Sequence, residues 1–206
     1  MLGTISERKR DAIARAALTL FASDGYERTS VDAIAAEAGV SKRTVYSHFG
    51  DKESLFLWVV RETYEGMLAR IGEIVSRVQW DRDDLLGALT SCVTEITRSI
   101  VRAPDRATLA RLLMAEAPHF PDVIDLLYTR EIAPIIAEPL EKLAAAGRLA
   151  VTDARQAAEH LAALTFGQVS TRSLMGTVPL GEDEMARLIA SGVQVFLRAY
   201  APAHMV

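Results

Sequence analysis

Residues 30–52, SVDAIAAEAGVSKRTVYSHFGDK, carry two short helix signatures on either side of a glycine. Thr29 and Ser30 supply hydroxyl caps, and Asp32, three residues after Thr29, completes a variant of the capping box, so a helix is expected over about 30–38. Gly39 can take the positive φ that ends it, Val40 turns inward, and Ser41 caps a following helix over 41–49. Ala35 is small where the two helices must cross, and Ile34, Val45 and Phe49 fall on the inward faces. Two helices joined by a turn of about three residues form a helix-turn-helix.

The pattern extends in both directions. Upstream, Ile13, Ala16, Ala17, Leu20 and Phe21 follow the spacing of one helical face, from Ser6 to a stop at Asp24-Gly25-Tyr26. Downstream, Gly50-Asp51 ends the third helix and caps a fourth, which runs without proline to about Val78. Further helices are expected over 82–102, 105–117, 121–146, 153–176 and 182–200, with a kink or break where Pro134 and Pro139 interrupt 121–146. The chain is therefore expected to be all-α, with about nine helices. The expected division is a helix-turn-helix domain over 1–50 and a larger helical domain over 51–206, entered by the connecting helix 51–78.

Composition agrees with that class. Of 206 residues, 50% are hydrophobic, 24% charged and only 6% aromatic, which supplies a core, excludes disorder as the main state and favours helix over sheet. The longest stretch without Asp, Glu, Lys or Arg lies between Glu159 and Arg172, too short for a membrane span. MLGTISERKR leads into an amphipathic segment with no long apolar run, so a cytoplasmic location is expected. The lone Cys92, beside Leu89, Val93 and Ile96, excludes an intramolecular disulfide and a multi-cysteine metal site, and reads as a small core residue. Histidines at 48, 119, 160 and 204 are scattered, and GxSxG, P-loop, GxGxxG and HExxH patterns are absent. No enzyme, metal or cofactor is expected, a helical enzyme being the remote alternative.

Charge distribution says more than the net −4. The first 60 residues hold eight basic and eight acidic side chains, so the whole deficit lies downstream, and the field near Lys42, Arg43 and Lys52 is set locally. A helix at 41–49 can enter a major groove with its N-terminal side chains at base edges. Lys42, Arg43 and Thr44 are placed to read: Arg43 can bind guanine O6 and N7 bidentately, and Thr44 can meet a thymine methyl or a phosphate. Tyr46, His48 and Lys52 are expected on phosphates, joined by the helix start at Thr29 and Ser30 and by the cap Ser41. Tyr46 has an alternative place as a half-buried core aromatic, and His48 as a helix-end histidine on the dipole.

AIARAALTLF, DGY, the Thr29-Ser30 pair, IAAEAGVS, TVYSHF and DKESL occur in this order within residues 12–57, and together they resemble the DNA-binding domain of the TetR family of bacterial transcriptional regulators. RLLMAEAPHFPDVIDLL, GRL and the FG and MG pairs over 111–176 are more loosely similar to a TetR-type C-terminal domain. The resemblance implies a homodimeric repressor on a palindromic DNA operator, released by a small effector, which is expected to be largely apolar; a constitutive DNA-binding protein without an effector is the alternative. A largely apolar pocket is expected from Met67, Cys92, Met114, Phe120, Tyr128 and Phe166, with Glu116, His119, Gln168 and Arg172 as possible polar handles. The last helix carries Met185, Ile189, Gly192, Val193, Phe196 and Tyr200 on one face and Leu188, Val195 and Ala199 beside it. It is expected to be buried on two sides, with Val169, Ser173, Val193 and Phe196 at the dimer interface. Burial within its own domain is the competing reading. A helical adaptor for protein partners is the third class, for which Arg43 and Tyr46 would have no use.

Overall fold

The computed structural model describes residues 5–81, 83–120 and 132–202. Among these the chain is helical throughout, without a strand. In order come α1 (Ile5–Asp24), α2 (Val31–Glu37), α3 (Lys42–Phe49), α4 (Lys52–Ser76), α5 (Leu85–Val101), α6 (Pro104–Glu116), α7 (Ile132–Ala145), α8 (residues 154–172) and α9 (Glu182–Ala199). The all-α expectation holds, and nine helices are present among the described residues.

Two compact units divide the chain: residues 1–66 with 104–124, and residues 67–103 with 125–206. In the first, α1 turns Ile13, Ala16, Ala17 and Phe21 inward against Ile34, Val45, Leu55 and Phe56, all buried. Gly25, at φ 83°, ends α1 and donates its N–H to the Phe21 carbonyl at 2.9 Å. Such a conformation costs most side chains strain that glycine avoids. Ser30 then caps α2 by accepting the Ala33 N–H at 3.1 Å. Gly39, at φ 65°, makes the turn, and the Val40 N–H reaches back to the Ala35 carbonyl at 3.0 Å. Asp51 accepts the Ser54 N–H to start α4. That bond favours the charged carboxylate and holds the Asp51 pKa below its ordinary value.

In the second unit, Asp84 caps α5 through the Gly87 N–H at 2.8 Å. That cap delays α5 to Leu85, three residues after the expected start. α7 runs as continuous helix through Pro134 and Pro139, so the expected break does not occur within 132–145. Pro139 is buried together with Ala137, Leu140 and Leu143, and this packing outweighs the lost backbone bond. Residues 121–131 of the expected 121–146 helix lie outside the described residues. α8 comprises Ala154–Ala162, a π-helical turn over Ala163–Gly167, and Gln168–Arg172. α9 lies against that turn so closely that a Cβ at Gly192 would overlap the Leu164 carbonyl. Leu89, Leu140, Leu161, Val169, Met185, Ile189, Val193 and Phe196 form the main core of this unit. A second cluster gathers Ile71, Ile74, Cys92, Ile96 and Ile100, with Met67 and Phe166 at its edge.

Candidate nucleic-acid interface

α3 owes its presentation to three residues. Ser41 accepts the Thr44 N–H at 3.1 Å and lies 2.8 Å from the Thr44 hydroxyl, fixing the first turn. Val45 and Phe49 are buried, which leaves Lys42, Arg43, Tyr46 and Ser47 exposed and Thr44 and His48 half-buried. Tyr46 is 43% exposed, so the core-aromatic alternative does not apply to it. Arg43 forms no hydrogen bond or ion pair with another described residue, leaving its planar fork of donors available.

Lys42 is different. Its ammonium is 2.7 Å from the Asp32 carboxylate of α2, a hydrogen bond that raises the lysine pKa. Both groups are exposed, so the pair is weak and can be exchanged for a phosphate. Sequence reading missed Asp32 as a partner, because only the fold brings residues ten apart across the turn together.

Thr29 and Lys52, both expected on DNA, are committed to their own unit. Thr29 is buried, and its hydroxyl donates toward the Leu20 and Gly25 carbonyls at 3.1 and 2.8 Å, so it tethers the end of α1. Lys52 donates to the Tyr26 carbonyl at 3.0 Å and to those of Glu27 and Thr29 at 3.3 Å, with the Tyr26 ring 4.3 Å from its ammonium. A lysine surrounded by three carbonyls and an aromatic face holds the turn between α1 and α2. The same turn meets Glu116 of α6, which accepts the Tyr26 N–H at 2.8 Å. The Tyr26 phenol is raised in pKa, first by burial and then by Glu53, Glu27, Asp51 and Glu116.

The expected pocket residues are divided between the two units. Met67, Cys92 and Phe166 share a cluster of the second unit. Met114 and Phe120 belong to the first unit: Met114 is 59% exposed, and the Phe120 ring stacks on Phe56 with centroids 4.6 Å apart. Tyr128 lies outside the described residues. Among the polar handles, Glu116 and His119 pair with each other, Gln168 donates to the Leu164 carbonyl, and Arg172 pairs with Glu184. The second unit has an open cleft of about 590 Å³ between α4 and α5, lined by Ile74, Val78, Cys92, Ser91, Arg77 and Glu95 among others. Burial, with a smaller push from Glu95, raises the Cys92 thiol to about 12, so it lines this space as an inert thiol.

The expected dimer residues Val169, Ser173, Val193 and Phe196 are all buried inside their own chain. The face assigned to a partner is the face that packs on the core, and the competing reading, burial within one domain, describes these four. α9 nevertheless keeps an outer face with Val195 at 47% exposure, Ala199 exposed and Leu188 half-buried.

An all-helical chain whose N-terminal unit presents a capped helix through a glycine turn, basic and polar side chains outward, belongs to the helix-turn-helix class of DNA-binding folds. The model described as "Bacterial regulatory proteins, tetR family" matches residues 13–59, and that of the "AefR-like transcriptional repressor, C-terminal domain" matches residues 87–202. The chain belongs to the TetR family.

Among curated relatives, the transcriptional repressor NicS of Pseudomonas putida is 30% identical over 104 residues, covering 50% of this chain and 47% of that protein. The repressor AcnR of Corynebacterium glutamicum is 32% identical over 97 residues, 47% of this chain and 43% of that protein. These matches thus span less than half the length of either relative. Among solved structures, a TetR-family regulator from Mesorhizobium loti MAFF303099 has a TM-score of 0.84 and 29% identity, over 97% of this chain and all of that one. The flavonoid-responsive regulator FrrA has a TM-score of 0.68 and 28% identity, over 96% of this chain and 99% of that one. These relatives and neighbours are transcriptional regulators and not enzymes. No helix among the described residues is long and apolar enough to cross a membrane, and they hold no cluster of His, Cys, Asp and Glu fit for a metal ion.

Proposed function

We propose that the protein is a homodimeric transcriptional repressor that places α3 of each protomer in successive major grooves of a palindromic operator and is released by a small effector. The observation that carries the reading is the exposed edge of α3, where Arg43 stands uncommitted beside Lys42, Thr44 and Tyr46 on a helix fixed by Ser41, Val45 and Phe49. Arg43 reads guanine, Thr44 a thymine methyl or phosphate, and Lys42, Tyr46 and His48 grip phosphates, with the Ser30 and Ser41 hydroxyls at the backbone. The first unit carries recognition, with its DNA-facing residues within 1–50, and the second unit carries effector binding and dimerisation. Its outer α9 face, with Leu188, Val195 and Ala199, meets the partner.

Effector release is supported by the open cleft beside Cys92 and by the flavonoid-responsive neighbour FrrA. Its mixed lining suits a ligand with hydrogen-bonding groups on an apolar frame. Sequencing the duplexes that the pure protein retains from a random pool tests the whole reading. The expected result is a two-fold symmetric site with half-sites about one helical turn apart. Retention of no sequence over any other would refute it.

A further inference from the structure

Glu116 is an unusual residue for its place. Its side chain is only 9% exposed, yet it sits at the end of α6 in contact with a turn 90 residues earlier in the chain. One carboxylate oxygen accepts the Tyr26 N–H at 2.8 Å, and the other is 3.0 Å from His119 Nδ1. A Cβ at Gly25 would stand 3.4 Å from the first of these oxygens, so the turn lies directly against the carboxylate. The aromatic contacts repeat the arrangement, since Phe120 packs edge-on against Tyr26 at 4.9 Å and stacks on Phe56. The peptide units at Tyr26 are therefore gripped from both sides, the N–H by Glu116 and the following carbonyl by Lys52.

Burying a carboxylate is costly, and apolar side chains of similar volume commonly stabilise a fold as well or better. What a buried acceptor supplies that an apolar side chain does not is direction, because it fixes the donor it faces. The donor here belongs to the turn from which α2 starts, and α2 is the element on which α3 packs.

We propose that Glu116 is a positioning residue for DNA recognition: carried on α6, its carboxylate holds the Tyr26 peptide, and through it the 25–29 turn, in the arrangement that sets α2 and α3 for the operator. The inference rests on the DNA-binding reading above. It makes α6 a structural part of the recognition unit.

The test uses the full chain and a duplex that the wild-type protein selects from a random pool. Glu116→Ala and the volume-keeping Glu116→Met both remove the acceptor, whereas Glu116→Gln keeps a carbonyl oxygen at the same reach. Well below the melting midpoint, where each variant is folded, Ala and Met should weaken the selected duplex roughly tenfold, an ordinary size for coupling between sites, and Gln should restore most of it. Amide exchange at Tyr26 should quicken in Ala and Met and stay slow in Gln. Loss of stability alone would move the melting midpoint without moving affinity at that temperature. Should Ala fail to fold, Met carries the comparison with Gln. Wild-type affinity in the folded Ala or Met variant, or equal loss in Gln and Met, overturns the proposal. A wild-type protein that selects no duplex overturns the DNA-binding reading instead, and amide exchange at Tyr26 still reports whether Glu116 holds the turn.

Discussion

Single side chains in the first unit divide into those turned outward and those turned back on the chain. Arg43 and Lys52 are both basic residues of one short motif, yet one is exposed without a partner among the described residues and the other donates to three carbonyls. Their removal should therefore have different signatures. Arg43→Ala should weaken specific binding by about 1 to 3 kcal/mol and relax preference at one position per half-site. Lys52→Met should lower the melting midpoint of the DNA-free protein, which loses the clamp on the 25–29 turn. Competition binding on single-base variants of the selected site, beside thermal melts without DNA, separates the two. A base-preference profile for Arg43→Ala that is unchanged from wild type at every position would remove it from the reading set. The motif made both residues legible as candidates, since capping and amphipathic spacing fix which positions of α3 face outward. It could not reveal that three backbone carbonyls converge on Lys52, because that arrangement depends on where the turn after α1 comes to rest.

At the scale of elements, the helix order was legible nearly throughout because apolar periodicity, hydroxyl caps and glycine stops act within a few residues of one another. Ser30 and Ser41 each accept the backbone N–H that a cap should. What periodicity could not supply is which of two apolar faces meets the core. On α9 the spacing marks Met185, Ile189, Val193 and Phe196 as one stripe, and a stripe reads the same whether its neighbour is α8 of the same chain or a helix of another. The prolines of α7 mislead for a related reason, since packing compensates the bond that Pro139 removes. The π-helical turn of α8 is invisible in sequence, and its trace is Gly192, where α9 approaches the Leu164 carbonyl. Gly192→Ala exchanges a poor helix former for the best one, yet it should destabilise the protein by about 1 to 3 kcal/mol because the added methyl overpacks a backbone contact. Urea unfolding reads this directly, and a rise in stability would mean that the two helices separate freely.

For the whole molecule, the two apolar aspects of α9 predict two kinds of failure. Phe196→Asp places a charge in the core cluster and should unfold the second unit. Val195→Asp alters an exposed position, so helix content should persist while the dimer separates into protomers with weaker operator binding. Light scattering and circular dichroism together distinguish these outcomes, and an intact Val195→Asp dimer would place the interface on another surface. α4 begins in one compact unit and, past Gly66, ends in the other. Leu55, Phe56, Val59 and Val60, all buried, lie on the stretch of that helix within the first unit. A fragment ending at residue 50 would lack them and also the separate strip of chain that begins at Pro104. Chimeric regulators that transplant this recognition head should therefore be spliced within α4 beyond Gly66 and must carry α6 as a second, noncontiguous graft; a cut after Gly50 would deliver a head without half of its interior.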